Sequence, residues 1–321
     1  MFDLAQGVEM LRCNNTDIRF QGVPMPVREL LNRFSADAMP CQRRVAVQWV
    51  AAGILLPTWA NGAQAQMGLS GAINYAGWFR ALSQRMAKAY CQQYLQVLPG
   101  AAVDVMGLAR KMVQSGSNEL ARGMQSGQWP ADVGRQLADV QKHFALLNQL
   151  TAAPATQTAL VVAASEQADR TLLVAQTVTE SIEKMAQAPS ARLVNLAGRQ
   201  RMLSQRLAKN YFLNAAKVES KVVQAQLVAD AADFRQALQT LKAAPVSTPA
   251  IRSELELADS QWLFFDSALR RPADDAGLSA VATTSERLLG VMDKLTSLYE
   301  AALREVPVSY THLTLPTTPY V

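Results

Sequence analysis

Two stretches of the chain, NYAGWFRALSQRMAKAY (74–90) and NLAGRQRMLSQRLAKNY (195–211), carry the same polar residues at the same spacing. In the first these are Asn74, Gly77, Arg80, Gln84 and Lys88; in the second, Asn195, Gly198, Arg201, Gln205 and Lys209. Spacings of 3, 3, 4 and 4 place each set within an arc of about 120° on one helix face. With Arg85, Arg199 and Arg206 the two stretches hold seven basic residues and no acid, whereas the rest of 66–305 holds 18 basic and 21 acidic. Such a face has two readings. It is a solvated basic surface, as most charge runs are, or it packs. Glycine and alanine on the arginine side favour packing, and like charges repel with no acid in the motif to relieve them. A buried arginine needs an anion. With no carboxylate in the motif, a bound ligand is the candidate, and the planar guanidinium fork suits a planar oxyanion such as nitrate or a carboxylate. Glycine inside a helix costs up to about 1 kcal/mol against alanine. The expected compensation at Gly77 and Gly198 is close approach of another helix backbone.

Catalysis finds little to work with. His143 falls inside a helical stretch and is expected on its surface, and His312 lies near the end, so neither a metal cluster nor a histidine-based triad can be assembled. Glu254 and Glu256 diverge around a helix, and Asp274-Asp275 reads as a solvated or capping pair. No glycine-rich phosphate loop occurs. Trp262, Phe264 and Phe265 read as core. No cofactor is expected and no enzyme.

The elements that position these residues are helices. Alanine, leucine, glutamine and valine dominate a composition that is 50% hydrophobic and 7% aromatic, which suits packed helices. At an offset of 121 the two motif stretches share eleven of seventeen positions. Prolines, glycines and turn residues divide the chain into helical runs near 69–97, 101–126, 131–152 and 155–187, then 190–217, 219–243, 249–271 and 276–304. Ser190 is expected as an N-cap, and Thr248-Pro249 as a cap followed by proline at the first helical position. Ala76, Phe79, Ser83, Met86 and Tyr90 form an apolar seam in the first run, as do Leu288, Val291, Leu295, Leu298 and Ala302 in the last. The expected fold is all-α: two tandem antiparallel four-helix bundles, 66–188 and 189–306.

The ends read differently. Arg43-Arg44, the apolar stretch Val45 to Trp59 and Ala63-Gln64-Ala65 have the order of an export signal occupying 39–65, with Met39 as the start and cleavage after Ala65. Residues 1–38 then read as a mis-called or leader segment. Residues 307–321 break all periodicity and read as a non-native tail. The expected location is periplasmic, with membrane anchoring if the native chain continues into an apolar helix. Cys13 and Cys41 precede the cleavage point, so Cys91 is alone and reads as a small core residue. The net charge of +5 and the absence of basic runs interleaved with aromatics argue against nucleic acid.

The stretches INYAGWFRALSQRMAK and NLAGRQRMLSQRLAK resemble the signature helix of the PilJ/NarX-like sensor domain, found in nitrate/nitrite sensor kinases and type IV pilus chemotaxis transducers. The resemblance covers 67–305 as two copies. It implies a ligand site at Arg80 and Arg201, with Gly77 and Gly198 giving access and Asn74, Asn195, Arg85 and Arg206 around it. It implies too that the arginines meet, here within one chain rather than between subunits, although a homodimer stays open. The copies differ: Ala81 stands opposite Met202, and Trp78-Phe79 opposite Arg199-Gln200. Three function classes follow: a periplasmic sensor of a small anion such as nitrate or nitrite acting on a membrane signalling protein, the ectodomain of a truncated receptor, and an interaction module for pilus or envelope components.

Overall fold

The computed structural model describes residues 68–125, 129–187, 189–218 and 221–305. The segments expected as a leader, an export signal with its cleavage point, and a non-native tail lie outside the described residues. Every regular element among the described residues is a helix: α1 Leu69–Tyr94, α2 Pro99–Gln125, α3 Ala131–Leu150, α4 Thr158–Ala186, α5 Pro189–Ala215, α6 Lys221–Lys242, α7 Pro249–Leu269 and α8 Asp275–Glu305. Their ends follow local chemistry. Thr248 caps α7, its hydroxyl accepting from the Ile251 amide at 3.2 Å ahead of Pro249 at the first turn. Asp274 caps α8, accepting from the Gly277 amide at 2.8 Å. Two expectations are corrected. Ser190 lies inside α5, whose first residue is Pro189, and Pro99-Gly100 begin α2 rather than separating it from α1. In both cases proline's fixed φ suits a first helical turn better than a break.

α1 to α4 pack as one set of four and α5 to α8 as another, with α1 against α2 and α4, and α5 against α6 and α8. The two motif helices α1 and α5 also pack on each other as extensively as either does within its own set. That makes α1 a central helix. It is buried on nearly every face from Gly71 to Gln92, polar residues included, so the solvated-surface reading of its charges is excluded. The α1 seam is buried throughout; in α8 Leu288, Leu295 and Ala302 are buried while Val291 and Leu298 are half-buried. Trp262 and Phe265 are core, with Trp262 stacked on Phe234 at 4.3 Å, but Phe264 is 62% exposed, since consecutive helical residues diverge by about 100°. Cys91 is buried, as expected. His143 is half-buried rather than on the open surface, its Nδ1 3.1 Å from the Gln167 amide nitrogen.

The repeat reaches into backbone geometry. α1 ends with Gln96 at φ 57° and the Val97 amide donating to Gln92 O at 2.9 Å; α5 ends with Lys217 at φ 60° and the Val218 amide donating to Leu213 O at 3.0 Å. Both are left-handed C-terminal turns made without glycine. No helix among the described residues is long and apolar enough to cross a membrane.

Candidate functional site

Arg80 and Arg201 meet where α1 crosses α5. Both are fully buried. The Arg80 Nη2 donates to Asn195 O on α5 at 3.4 Å, and the Arg201 Nη2 donates to Asn74 O on α1 at 3.3 Å, so each guanidinium reaches across to the other helix. The glycines make room for them. A Cβ on Gly77 would lie 3.2 Å from the Arg80 Nη2 and 3.4 Å from the Arg201 Nη2; on Gly198 it would lie 3.1 Å from the Arg201 Nη2 and 3.5 Å from the Arg80 Nη2. What offsets the glycine cost is therefore space for two cations, not the approach of a helix backbone.

The surroundings obey an approximate two-fold symmetry. Equivalent positions lie 121 apart on α1 and α5 and 117 apart on α4 and α8. Gln84 donates to Ala168 O at 3.1 Å, and Gln205 to Ser285 O at 3.0 Å. Lys88 pairs with Glu286 on α8, and Lys209 with Asp169 on α4 at 2.6 Å, so each lysine is neutralised by the other half. Asn74 donates to Glu300 at 2.6 Å, and Asn195 to Glu183. Ser83 and Ser204 donate to the carbonyls of Arg80 and Arg201. These acids are absent from the motif and come from other helices. Carboxylates of distant helices therefore relieve charges that the motif leaves unrelieved, so a ligand is not needed at Arg85, Lys88, Arg206 or Lys209.

Arg85 and Arg206 are engaged away from the arginine pair. Arg85 holds Glu286 through Nε at 3.2 Å and Nη2 at 2.5 Å; Arg206 holds the buried Asp230 through Nε at 2.7 Å and Nη2 at 2.5 Å. Arg199 reaches Asp233 at 2.8 Å on the surface. Burial pushes the Glu286 carboxyl up, but Arg85 and Lys88 outweigh it and hold the group down at about 2. The site thus gathers six of the eight sequence-derived candidates: Asn74, Gly77, Arg80, Asn195, Gly198 and Arg201.

At the arginines the symmetry fails. The Arg201 Nη1 binds the Asp293 carboxylate at 2.7 Å, and the Trp78 ring covers its guanidinium at 4.4 Å. The Trp78 side chain also hydrogen-bonds to Asp293. At the equivalent place the Arg80 Nη1 meets the neutral Gln176 Oε1, also at 2.7 Å. Burial first, then Arg201 and Arg199, pull Arg80 down to about 9, with Glu180 and Glu183 opposing from a distance. The Nε of each arginine is buried without a hydrogen-bond partner. Asp293, Gln176 and Trp78 are the partners of the arginine pair that motif reasoning missed. Only the unequal pairing of Trp78 with Arg199 hinted at them. Among the described residues no cluster of His, Cys, Asp or Glu could hold a metal.

Residues 185–296 match the family described as the type IV pili methyl-accepting chemotaxis transducer N-terminal domain, PilJ. The match runs from the last turn of α4 to within α8, about a third of the chain, and includes Asn195, Gly198, Arg201 and Asp293. This segment is PilJ-like and helical, and the family it is similar to is described as the N-terminal part of a chemotaxis transducer. No curated protein and no solved structure matches the chain.

Proposed function

We propose that the chain is an exported chemosensory module in which α1–α4 is a second, diverged copy of the PilJ-like unit, related also to NarX-type sensors. The two motif helices hold one small planar oxyanion, nitrate or nitrite, between Arg80 and Arg201. A membrane signalling protein reads its occupancy from the periplasmic side. The observation that carries this reading is Arg80. It is a fully buried guanidinium whose hydrogen-bond partners, Gln176 and Asn195 O, are neutral, facing a second guanidinium across two glycines. An unneutralised cation in such a place is expensive, and an entering anion removes the cost. Both arginines are closed from solvent, so entry requires the carbonyls of Asn74 and Asn195 to release them. That coupling of ligand entry to the α1–α5 contact is what a sensor needs, because a ligand shifts an equilibrium only by its different affinity for two states.

Titration calorimetry of the purified chain with nitrate and with nitrite tests the reading. Saturable heat that disappears in Arg80→Gln supports it, and silence toward both anions removes it. A second reading, a ligand-free scaffold binding envelope or pilus components, is favoured by one observation: Arg85, Lys88, Arg201, Arg206 and Lys209 are all neutralised by carboxylates of the protein itself. In that case Arg80→Gln leaves partner binding unchanged.

A further inference from the structure

The two arginines of the slot differ in how their charge is met, and the difference resides in one pair of equivalent positions. Gln176 and Asp293 sit 117 apart, as do Ala168 and Ser285, Asp169 and Glu286, and Glu183 and Glu300, whose bonds to the motif helices match pair by pair. Each accepts from the Nη1 of its own half's arginine at the same 2.7 Å. One carries a charge and the other does not. Gln176 passes the interaction on through its own amide, which donates to Glu180 at 2.5 Å, but Glu180 is exposed and water screens it. Among the groups in direct contact, two guanidiniums and one carboxylate leave a single positive charge; the half-buried Glu183 and Glu300, held by Asn195 and Asn74, act on the pair equally from either half and do not break the balance between them.

We propose that the Gln176/Asp293 pair sets the valence of the guest: the slot takes one monovalent oxyanion and rejects divalent ones, because Asp293 already fills the place of a second negative charge. This rests on the anion reading above and adds a selectivity that the motif alone does not contain. With a monoanion the charges in the slot cancel. A dianion leaves one negative charge buried without a partner, which low-dielectric surroundings penalise heavily. Replacing Asp293 by asparagine keeps the hydrogen-bond acceptor and adds one positive charge, so the slot then suits sulfate. Moving the carboxylate of Glu180 onto position 176 does the opposite at constant net charge, since it gives Arg80 its own counter-ion and leaves nothing for a guest to neutralise.

The test is thermal unfolding of the whole chain at fixed ionic strength, titrating nitrate or sulfate against chloride. Wild type, Asp293→Asn and the double variant Gln176→Glu/Glu180→Gln are compared. Wild type is expected to rise in Tm saturably with nitrate and not with sulfate. Asp293→Asn gains a saturable sulfate response, at least tenfold tighter than any in wild type. The double variant loses the nitrate response and starts from a higher Tm in chloride alone. If wild type responds to nitrate but Asp293→Asn gains nothing for sulfate, or the double variant keeps full nitrate affinity, the valence rule is overturned and the anion site stands. If wild type is silent to nitrate and sulfate alike, the anion site and this rule fall together. A double variant that starts lower than wild type overturns the charge argument by itself.

Discussion

The unequal neutralisation of the two arginines makes one substitution stabilising and its symmetry mate destabilising. Arg80→Met keeps a long apolar stem and removes the charge. Pulling the Arg80 pKa from the ordinary arginine range down to about 9 represents, at about 1.36 kcal/mol per unit, an upper bound of about 5 kcal/mol of strain on the charged form. The variant also forfeits the guanidinium bond to Gln176, a charge-assisted loss of about 1.5–3 kcal/mol, and the long contact to Asn195 O at 3.4 Å, which adds little. The balance is a gain of about 1–3 kcal/mol, and a chain with this much folded structure shifts by about 2–4 °C per kcal/mol. Arg201→Met strands Asp293. That carboxylate is 25% exposed, so the cost is about 1–3 kcal/mol, below the value for a fully buried partner. Urea unfolding followed by circular dichroism at neutral pH, in buffer free of oxyanions, measures both. The sign with pH follows from the depressed pKa. The folded form binds the proton more weakly than the unfolded one, so the penalty on wild type is complete below about pH 9 and is relieved as pH rises above about 9 toward the ordinary arginine range. The advantage of Arg80→Met is therefore present at pH 7 and shrinks above about 9. If Arg80→Met destabilises the protein as much as Arg201→Met does, Arg80 is adequately neutralised by the protein and the reasoning fails.

Glu286, held near 2 against an ordinary 4.5, contributes stability that is complete above about 4.5 and lost as pH falls toward about 2. Glu286→Gln should cost about 3–5 kcal/mol at pH 7, since it strands the buried Arg85 and Lys88, and should flatten acid unfolding in that window. Gly77→Ala and Gly198→Ala should gain nothing or lose about 1 kcal/mol, because the methyl presses on the guanidiniums. Gly107→Ala and Gly290→Ala, which meet nothing within 4 Å, should instead gain about 0.5–1 kcal/mol in the same unfolding assay. Cys91, buried and with its thiol pushed up to about 12 by burial, should resist a thiol reagent in the native chain and react fully in urea.

Much of the fold was legible because helix periodicity and breakers are local. α1 was expected over 69–97 and ends at Tyr94; α4 was expected from 155 and begins at Thr158; α7 begins where Thr248-Pro249 placed it. The arginine pair was legible too, from glycine and arginine repeating at one offset. The counter-ions were not. Glu286 lies about 200 positions from Arg85, and Asp293 is 92 from Arg201. The repeat that relates α4 to α8 was hidden because its offset is 117 rather than 121. There identical pairs such as Glu183 and Glu300 are scattered among pairs alike only in charge, as Asp169 and Glu286 are, and pairs that differ in charge, as Gln176 and Asp293 do.

The sequence by itself determined the eight helices of the described residues, in two similar sets, and a stripe of cations on the first helix of each, since spacing at helical period is a one-dimensional property of the chain. Only the tertiary structure decided that the stripe is buried, which acid neutralises each cation, and that Arg80 alone of the two slot arginines is met by an amide. Those outcomes depend on which side chains from distant helices arrive within about 3 Å, where burial makes every unpaired charge count.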